Sequence, residues 1–133
     1  MDKMDVLMEQ MLTLKKWAVV GATDNQDKFG YKIYKLLKMK GYDVTPINPV
    51  YESVDGDECL DTLKNMSEIP DCVSVVVSPK RSLEVVKDAI DLGIKRIWFQ
   101  PGTFDEDVIS LAEDNKIDIV FYNCVLVELK KLQ

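Results

Sequence analysis

At 133 residues the chain is long enough for one domain with a substantial buried core. A net charge of −6 and a pI near 4.7 exclude the basic footprint that nucleic-acid binding requires, and no apolar run is long enough to cross a bilayer. The absence of histidine removes the commonest general base, metal ligand and phosphoryl carrier at once.

Residues 4–14 place Met4, Leu7, Met8, Met11 and Leu12 on one helix face, which predicts an N-terminal packing helix over 1–14 ahead of a single domain at 15–133. That start lacks the basic end, apolar core and cleavage site of a signal peptide. Cys59, Cys72 and Cys124 are odd in number and have no metal-ligand spacing, which points to reduced thiols and a cytoplasmic protein.

Trp17-Ala18-Val19-Val20 then reads as a strand buried on both faces. Gly21 breaks it, and Asp27 stands where it could cap a helix opening at Lys28-Phe29-Gly30. A strand that runs through a glycine turn into a helix N-terminus can cradle an anion, because the first helical amides lack partners and the helix dipole is positive there. An ordinary βα turn without a ligand has the same local pattern.

The helix at about 28–40 is expected to face inward with Phe29, Ile33, Leu36 and Leu37. Three times a helical stretch ends near a residue tolerant of left-handed backbone (Gly41, Gly93, Asn115) and an apolar run follows, the alternation of βαβ units. Pro49-Val50-Tyr51 and Asp55-Gly56-Asp57 read as turns, with a short helix from Leu60 to Met66. Cys72–Val77 is the most strand-like run, after which Ser78 can cap a helix with Pro79 first and Leu83, Val86 and Ile90 on one face. Thr103 and Glu106 have capping-box spacing, and Val125–Leu132 looks like a closing helix. The sum is an α/β, doubly wound sheet of five parallel strands, whose ligand crevice lies beyond the strand C-termini at the switch in strand order.

The segments expected at that edge are Gly21-Ala22-Thr23-Asp24, Asn48-Pro49, Val77-Ser78-Pro79, Gln100-Pro101-Gly102 and Asn123-Cys124. Three carry proline and are rigid, so they offer backbone groups at low ordering cost. No G-x-G-x-x-G follows the first strand, Asn48 stands where an NAD site places an acid, and no P-loop is present. NAD(P) binding and ATP hydrolysis both lose support.

From about Lys16 to Leu132 the chain resembles the small stand-alone CoA-binding proteins, and their Rossmann-like domain is similar to the CoA-binding domain of succinyl-CoA synthetase and other acyl-CoA synthetase alpha subunits. The resemblance rests on VVGATDNQDKFG, the Asn-Pro after the second strand, IWFQPG and the closing NCVLVELKKL. It implies that coenzyme A or an acyl-CoA is bound, with Gly21, Ala22, Thr23 and Asp24 along the phosphates and Lys28, Phe29 and Gly30 holding the same end from the helix start. It further implies Asn48 and Pro49 beside the ribose and adenine, Val77, Ser78 and Pro79 on the other side of the cofactor, and Gln100, Pro101 and Gly102 toward the pantetheine arm. The chain departs from its relatives at Val50, where many are basic, and at Asn123 and Leu129, where Arg and His are frequent. Lys80 and Arg81 offer alternative charge, although both suit a solvated helix start. Ligase chemistry by this chain alone is not expected, since it lacks the phosphohistidine domain and any histidine.

The leading expectation is therefore a non-catalytic CoA binder, monomeric or weakly dimeric, with no nucleic-acid or membrane partner. An enzyme using Asp24, Lys28 or Cys124, and an interaction module that has lost its ligand, are the alternatives. Cys124 is expected to be a partly buried, unreactive thiol, with a mixed disulfide to the thiol of bound CoA as the alternative reading.

Overall fold

A computed structural model describes residues 2–132. Met1 and Gln133, the outermost residues of the two spans expected from sequence, lie outside the described residues. The chain runs α1 (Lys3–Thr13), β1 (Lys16–Val20), α2 (Phe29–Met39), β2 (Asp43–Ile47), β3 (Ser53–Val54), β4 (Asp57–Glu58), β5 (Cys72–Val75), α3 (Pro79–Leu92), β6 (Arg96–Phe99), α4 (Glu106–Asp114), β7 (Asp118–Val120) and α5 (Val125–Lys130). Five strands form one parallel sheet in the order β2-β1-β5-β6-β7, with helices on both faces. The expected doubly wound fold is the one observed, and the strand order reverses between β1 and β5.

Alternation along the strands divides the core into two layers. Trp17, Val19, Trp98 and Val120 pack with α1, α2 and α5, while Ala18, Val20, Val73, Val75, Ile97 and Phe99 pack with α3 and α4. Trp17 and Trp98 are fully buried with ring centroids 6.4 Å apart. Their Nε1–H groups donate to the Leu14 and Asn123 carbonyls, each at 2.8 Å. The hydroxyl of Ser74, in the middle of β5, is buried without a hydrogen-bond partner among the described residues.

Several local expectations are corrected. Asp27 does not cap α2: an Asx turn holds its N–H on the Asn25 carboxamide oxygen (3.1 Å), and Lys28 takes the cap position without a side-chain bond. The inward stripe of α2 is Gly30, Ile33, Tyr34 and Leu37, so Phe29 is turned out and 51% exposed. Thr103 makes no capping box, since its hydroxyl donates to the Gln100 carbonyl (2.6 Å) and Asp105 caps α4 through the Val108 N–H (3.0 Å). Ser78 holds the cap position of α3, with Pro79 first, but its hydroxyl makes no cap bond. Lys116 rather than Asn115 takes the left-handed conformation after α4, because the Asn115 side chain prolongs the last turn by donating to the Leu111 carbonyl (2.9 Å). The helix expected at Leu60–Met66 is a single 3₁₀ turn, Leu63–Asn65. The Asp55-Gly56 turn closes a two-stranded hairpin, β3–β4, that sequence patterning did not anticipate.

Among the described residues no helix is long and apolar enough to cross a membrane.

Candidate functional site

The site is assembled at the switch point by close backbone packing. Gly21 leaves β1 with φ +100°, and its N–H donates to the Ile47 carbonyl (2.9 Å), which joins the tops of β1 and β2. A Cβ on Gly21 would lie 2.6 Å from the Val76 carbonyl oxygen, and one on Gly30 would lie 2.1 Å from the Gly21 carbonyl oxygen. Only glycine at both positions lets the start of α2 sit directly on the loop and against the end of β5.

Side chains from later in the chain then fix the loop. Asn48 Nδ2 donates to the Ala22 carbonyl (2.9 Å), while its Oδ1 accepts the Val50 N–H (2.9 Å). Thr23 Oγ1 donates to Tyr51 Oη (2.7 Å) and accepts the Asn25 N–H (3.1 Å). Asp24 Oδ1 accepts the Asp55 N–H at 2.7 Å, tying the loop to the hairpin. Asp55 in turn takes Lys35 (3.0 Å) and Lys38 (3.1 Å) from α2, and Asp57 takes Lys38 (2.6 Å) and the Tyr34 hydroxyl. Lys35 and Lys38 hold the Asp55 carboxyl below the usual carboxylate range, and Lys38 with Tyr34 does the same for Asp57. Burial, and then the bond to Asp57, raise the Tyr34 hydroxyl well above the usual tyrosine range. The loop is thus held rigid before any ligand arrives.

Above it lies an open cleft of about 580 Å³, lined by Gly21, Thr23, Lys28, Phe29, Gly30, Asn48, Tyr51, Val77 and Arg81 among others. The N–H groups of Phe29 and Gly30 stand at the first two positions of α2, where no helix carbonyl reaches them, and neither has an acceptor among the described residues. Lys28 and Arg81 line the cleft and make no ion pair among the described residues. A second, mainly apolar cavity of about 220 Å³ shares Val77 and Arg81 with the cleft and is walled by Val20, Ile47, Pro49, Leu63 and Val85. Donors and two cations, with the Asp27 carboxylate beside them, on one side and an apolar slot on the other fit a diphosphate joined to a flat base. A separate hollow of about 380 Å³, beside Lys16, Asp43 and Glu68, lies at the opposite end of the strands and is spanned by the Lys16–Glu68 ion pair (2.9 Å).

With this geometry in place, the likeness to known proteins is decisive. The model of a CoA binding domain matches residues 15–130. The chain belongs to the CoA-binding domain family. A conserved hypothetical protein of Pyrococcus furiosus shares 37% identity at a TM-score of 0.82, over 86% of this chain and 98% of that one. A hypothetical protein of Pyrococcus horikoshii shares 31% at a TM-score of 0.91, over 98% and 92%. An ADP-forming acetate–CoA ligase of Archaeoglobus fulgidus is 25% identical over 128 residues, which is 89% of this chain but only 19% of that protein.

In this CoA-binding domain the residues singled out from sequence divide into three groups. Gly21, Thr23, Lys28, Phe29, Gly30, Asn48 and Val77 meet in the cleft, and Pro49 walls the apolar cavity. Ala22, Asp24, Ser78 and Pro79 lie beside these spaces without lining either; Ala22 and Asp24 instead anchor the loop. Gln100, Pro101 and Gly102 stand farther along the sheet edge, outside both cavities. Gln100 is buried there as a brace, its Nε2 on Cys124 Sγ (2.8 Å) and its Oε1 accepting the Val125 N–H (3.3 Å). Cys124 is half-buried and lines neither cavity.

In sequence Tyr51 stands only as part of a turn, and Arg81 only as an alternative charge on a solvated helix start. Arg81 has a weak sequence signal, since it follows Ser78 by three residues, about one helical turn, on the helix that opens at this edge. Tyr51 has none, because its partner Thr23 is 28 residues away. Of the departures from the relatives, Val50 is 79% exposed at the cleft, Leu129 is fully buried in the core, and Asn123 accepts the Trp98 bond through its backbone.

Proposed function

We propose that this chain binds coenzyme A or an acyl-CoA without performing chemistry on it. The observation that carries this reading is the junction, at the switch in strand order, of an apolar cavity with a cleft whose helix amides and two cations have no partner among the described residues. The diphosphate would rest on the Phe29 and Gly30 amides between Lys28 and Arg81. Adenine would enter the apolar cavity between Pro49 and Leu63 on one side and Val77 and Val85 on the other, with Asn48 fixing the ribose end through the loops it joins. The pantetheine arm would run toward Gln100, Pro101 and Gly102. Bound this way, CoA meets no acid–base pair of this domain: in the loop Asp24 is engaged by Asp55, and beside the pantetheine path Cys124 is held by Gln100 Nε2 (2.8 Å). The protein would act in the cytoplasm as a monomer or weak dimer, which sedimentation velocity checks.

Isothermal titration with CoA, acetyl-CoA, NAD and ATP tests the reading. CoA or acetyl-CoA is expected to bind more tightly than millimolar, that is with more than about 4 kcal/mol, and NAD and ATP more weakly. Affinities weaker than millimolar for all four remove it. In that case the exposed Val50 and Phe29 at the cleft mouth favour an interaction module instead, and a stable protein partner bound beside an empty cleft would be its signature.

A further inference from the structure

On the CoA-binding reading above, the lining of the site also decides which adenine nucleotides it accepts. CoA and dephospho-CoA differ by one group, the phosphate monoester on the ribose, which carries nearly two negative charges at neutral pH. A site that recognises a ribose phosphate brings cations to it, whereas one that reads free ribose hydroxyls brings carboxylates. The same choice separates NADP from NAD sites in related folds.

The cavity placed to take the adenosine end has three carboxylates in its lining, Asp61, Glu84 and Asp88, and a single cation, Arg81. Arg81 also lines the diphosphate cleft, so its charge is shared between the two. The lysines that pair with Asp88 and Glu84, Lys64 at 3.6 Å and Lys87 at 3.4 Å, are more than half exposed and do not line the cavity. At the cleft mouth after Asn48-Pro49, Val50 offers no side-chain donor, and its N–H is already held by Asn48 Oδ1. Where a ribose phosphate would need cations, the chain supplies carboxylates and a valine.

We infer that the site gains nothing from the ribose phosphate, so that the favoured ligands are pantetheine-bearing ADP derivatives with free ribose hydroxyls, told from NAD by the pantetheine arm. Calorimetry on the full chain compares CoA with dephospho-CoA at about 20 and about 200 mM salt, where screening lengths differ roughly threefold. Dephospho-CoA is expected to bind as tightly as CoA or up to about tenfold more tightly, the scale of one charge contact near a protein surface, and any gap should narrow in the higher salt. Tighter binding of CoA overturns the inference and leaves the CoA-binding reading standing. Binding of neither ligand overturns both. In a second arm Asp61→Lys, an exposed loop substitution, is expected to move the preference toward CoA by about threefold or more at unchanged thermal stability. An unmoved ratio also overturns the inference.

Discussion

The carbonyl oxygen of Gly21 faces the Cα of Gly30 so closely that a methyl group on Gly30 would sit 2.1 Å from it. No flexible side chain can yield there, because the opposing atom is backbone. Gly30→Ala should therefore push α2 off the loop, with a stability loss of about 1–3 kcal/mol, and should lower CoA affinity by more than about tenfold. Urea denaturation and calorimetry on the same preparation check both effects. Parent-like affinity would show that the α2 start does not form the ligand seat.

Lys28 and Arg81 stand at the cleft without an ion pair among the described residues, so removing either should cost binding and little else. Lys28→Ala and Arg81→Ala are each expected to weaken CoA binding about five- to twentyfold, below the full value of a charge-assisted hydrogen bond because both side chains are exposed. Melting temperatures should stay within about 1 °C of the parent, consistent with surface substitutions. Binding unchanged in both variants would move the diphosphate elsewhere.

The orphaned hydroxyl of Ser74 lies in the middle of the sheet and gives nothing in return for its lost hydration. Ser74→Ala should raise stability by about 1 kcal/mol, since burying an unsatisfied polar group costs roughly 1–3 kcal/mol and the vacated volume is small. For a chain of this length that corresponds to a melting temperature higher by about 3–5 °C. A lower melting temperature would mean that the hydroxyl has a partner after all.

The hairpin latch has a defined pH window. Asp55 and Asp57 titrate below their ordinary value of 3.8, so their contribution is complete above that pH and is lost as pH falls through the folded values. Lys38 titrates above its ordinary 10.5, principally because of its bonds to Asp57 and Asp55, so its contribution is complete below that pH and is lost on the alkaline side. Hydrogen exchange at the Asp55 amide should be slowest between about pH 4 and pH 10, after correction for the intrinsic rate, with protection falling outside that range. Asp57→Asn is expected to flatten the acid limb.

The parallel sheet was legible because five apolar runs each follow a helix stop or a polar loop, a signal carried by neighbouring residues. The cleft was legible in outline for the same reason: Gly21, Lys28 and Gly30 lie within one strand–loop–helix unit. What escaped were bonds between residues far apart in sequence. Asp24 with Asp55 and Thr23 with Tyr51 span 31 and 28 positions, and β3 and β4, at two residues each, are too short to show a period. Asp27 illustrates a different failure. An acidic residue before a helix is usually a cap, but the helix opens at Phe29, one residue later than expected, so Lys28 holds the cap position and Asp27 falls in the preceding Asx turn, a one-residue shift that leaves no mark in the hydrophobic pattern.

The two indoles at the centre of the sheet equip the chain with an optical gauge of its own integrity. Trp17 and Trp98 are sealed from water and tethered by their ring nitrogens, and neither borders the cleft. Their fluorescence should shift to the red only when the sheet comes apart and stay constant while a ligand is titrated in, so occupancy and unfolding can be followed separately in one unlabelled sample.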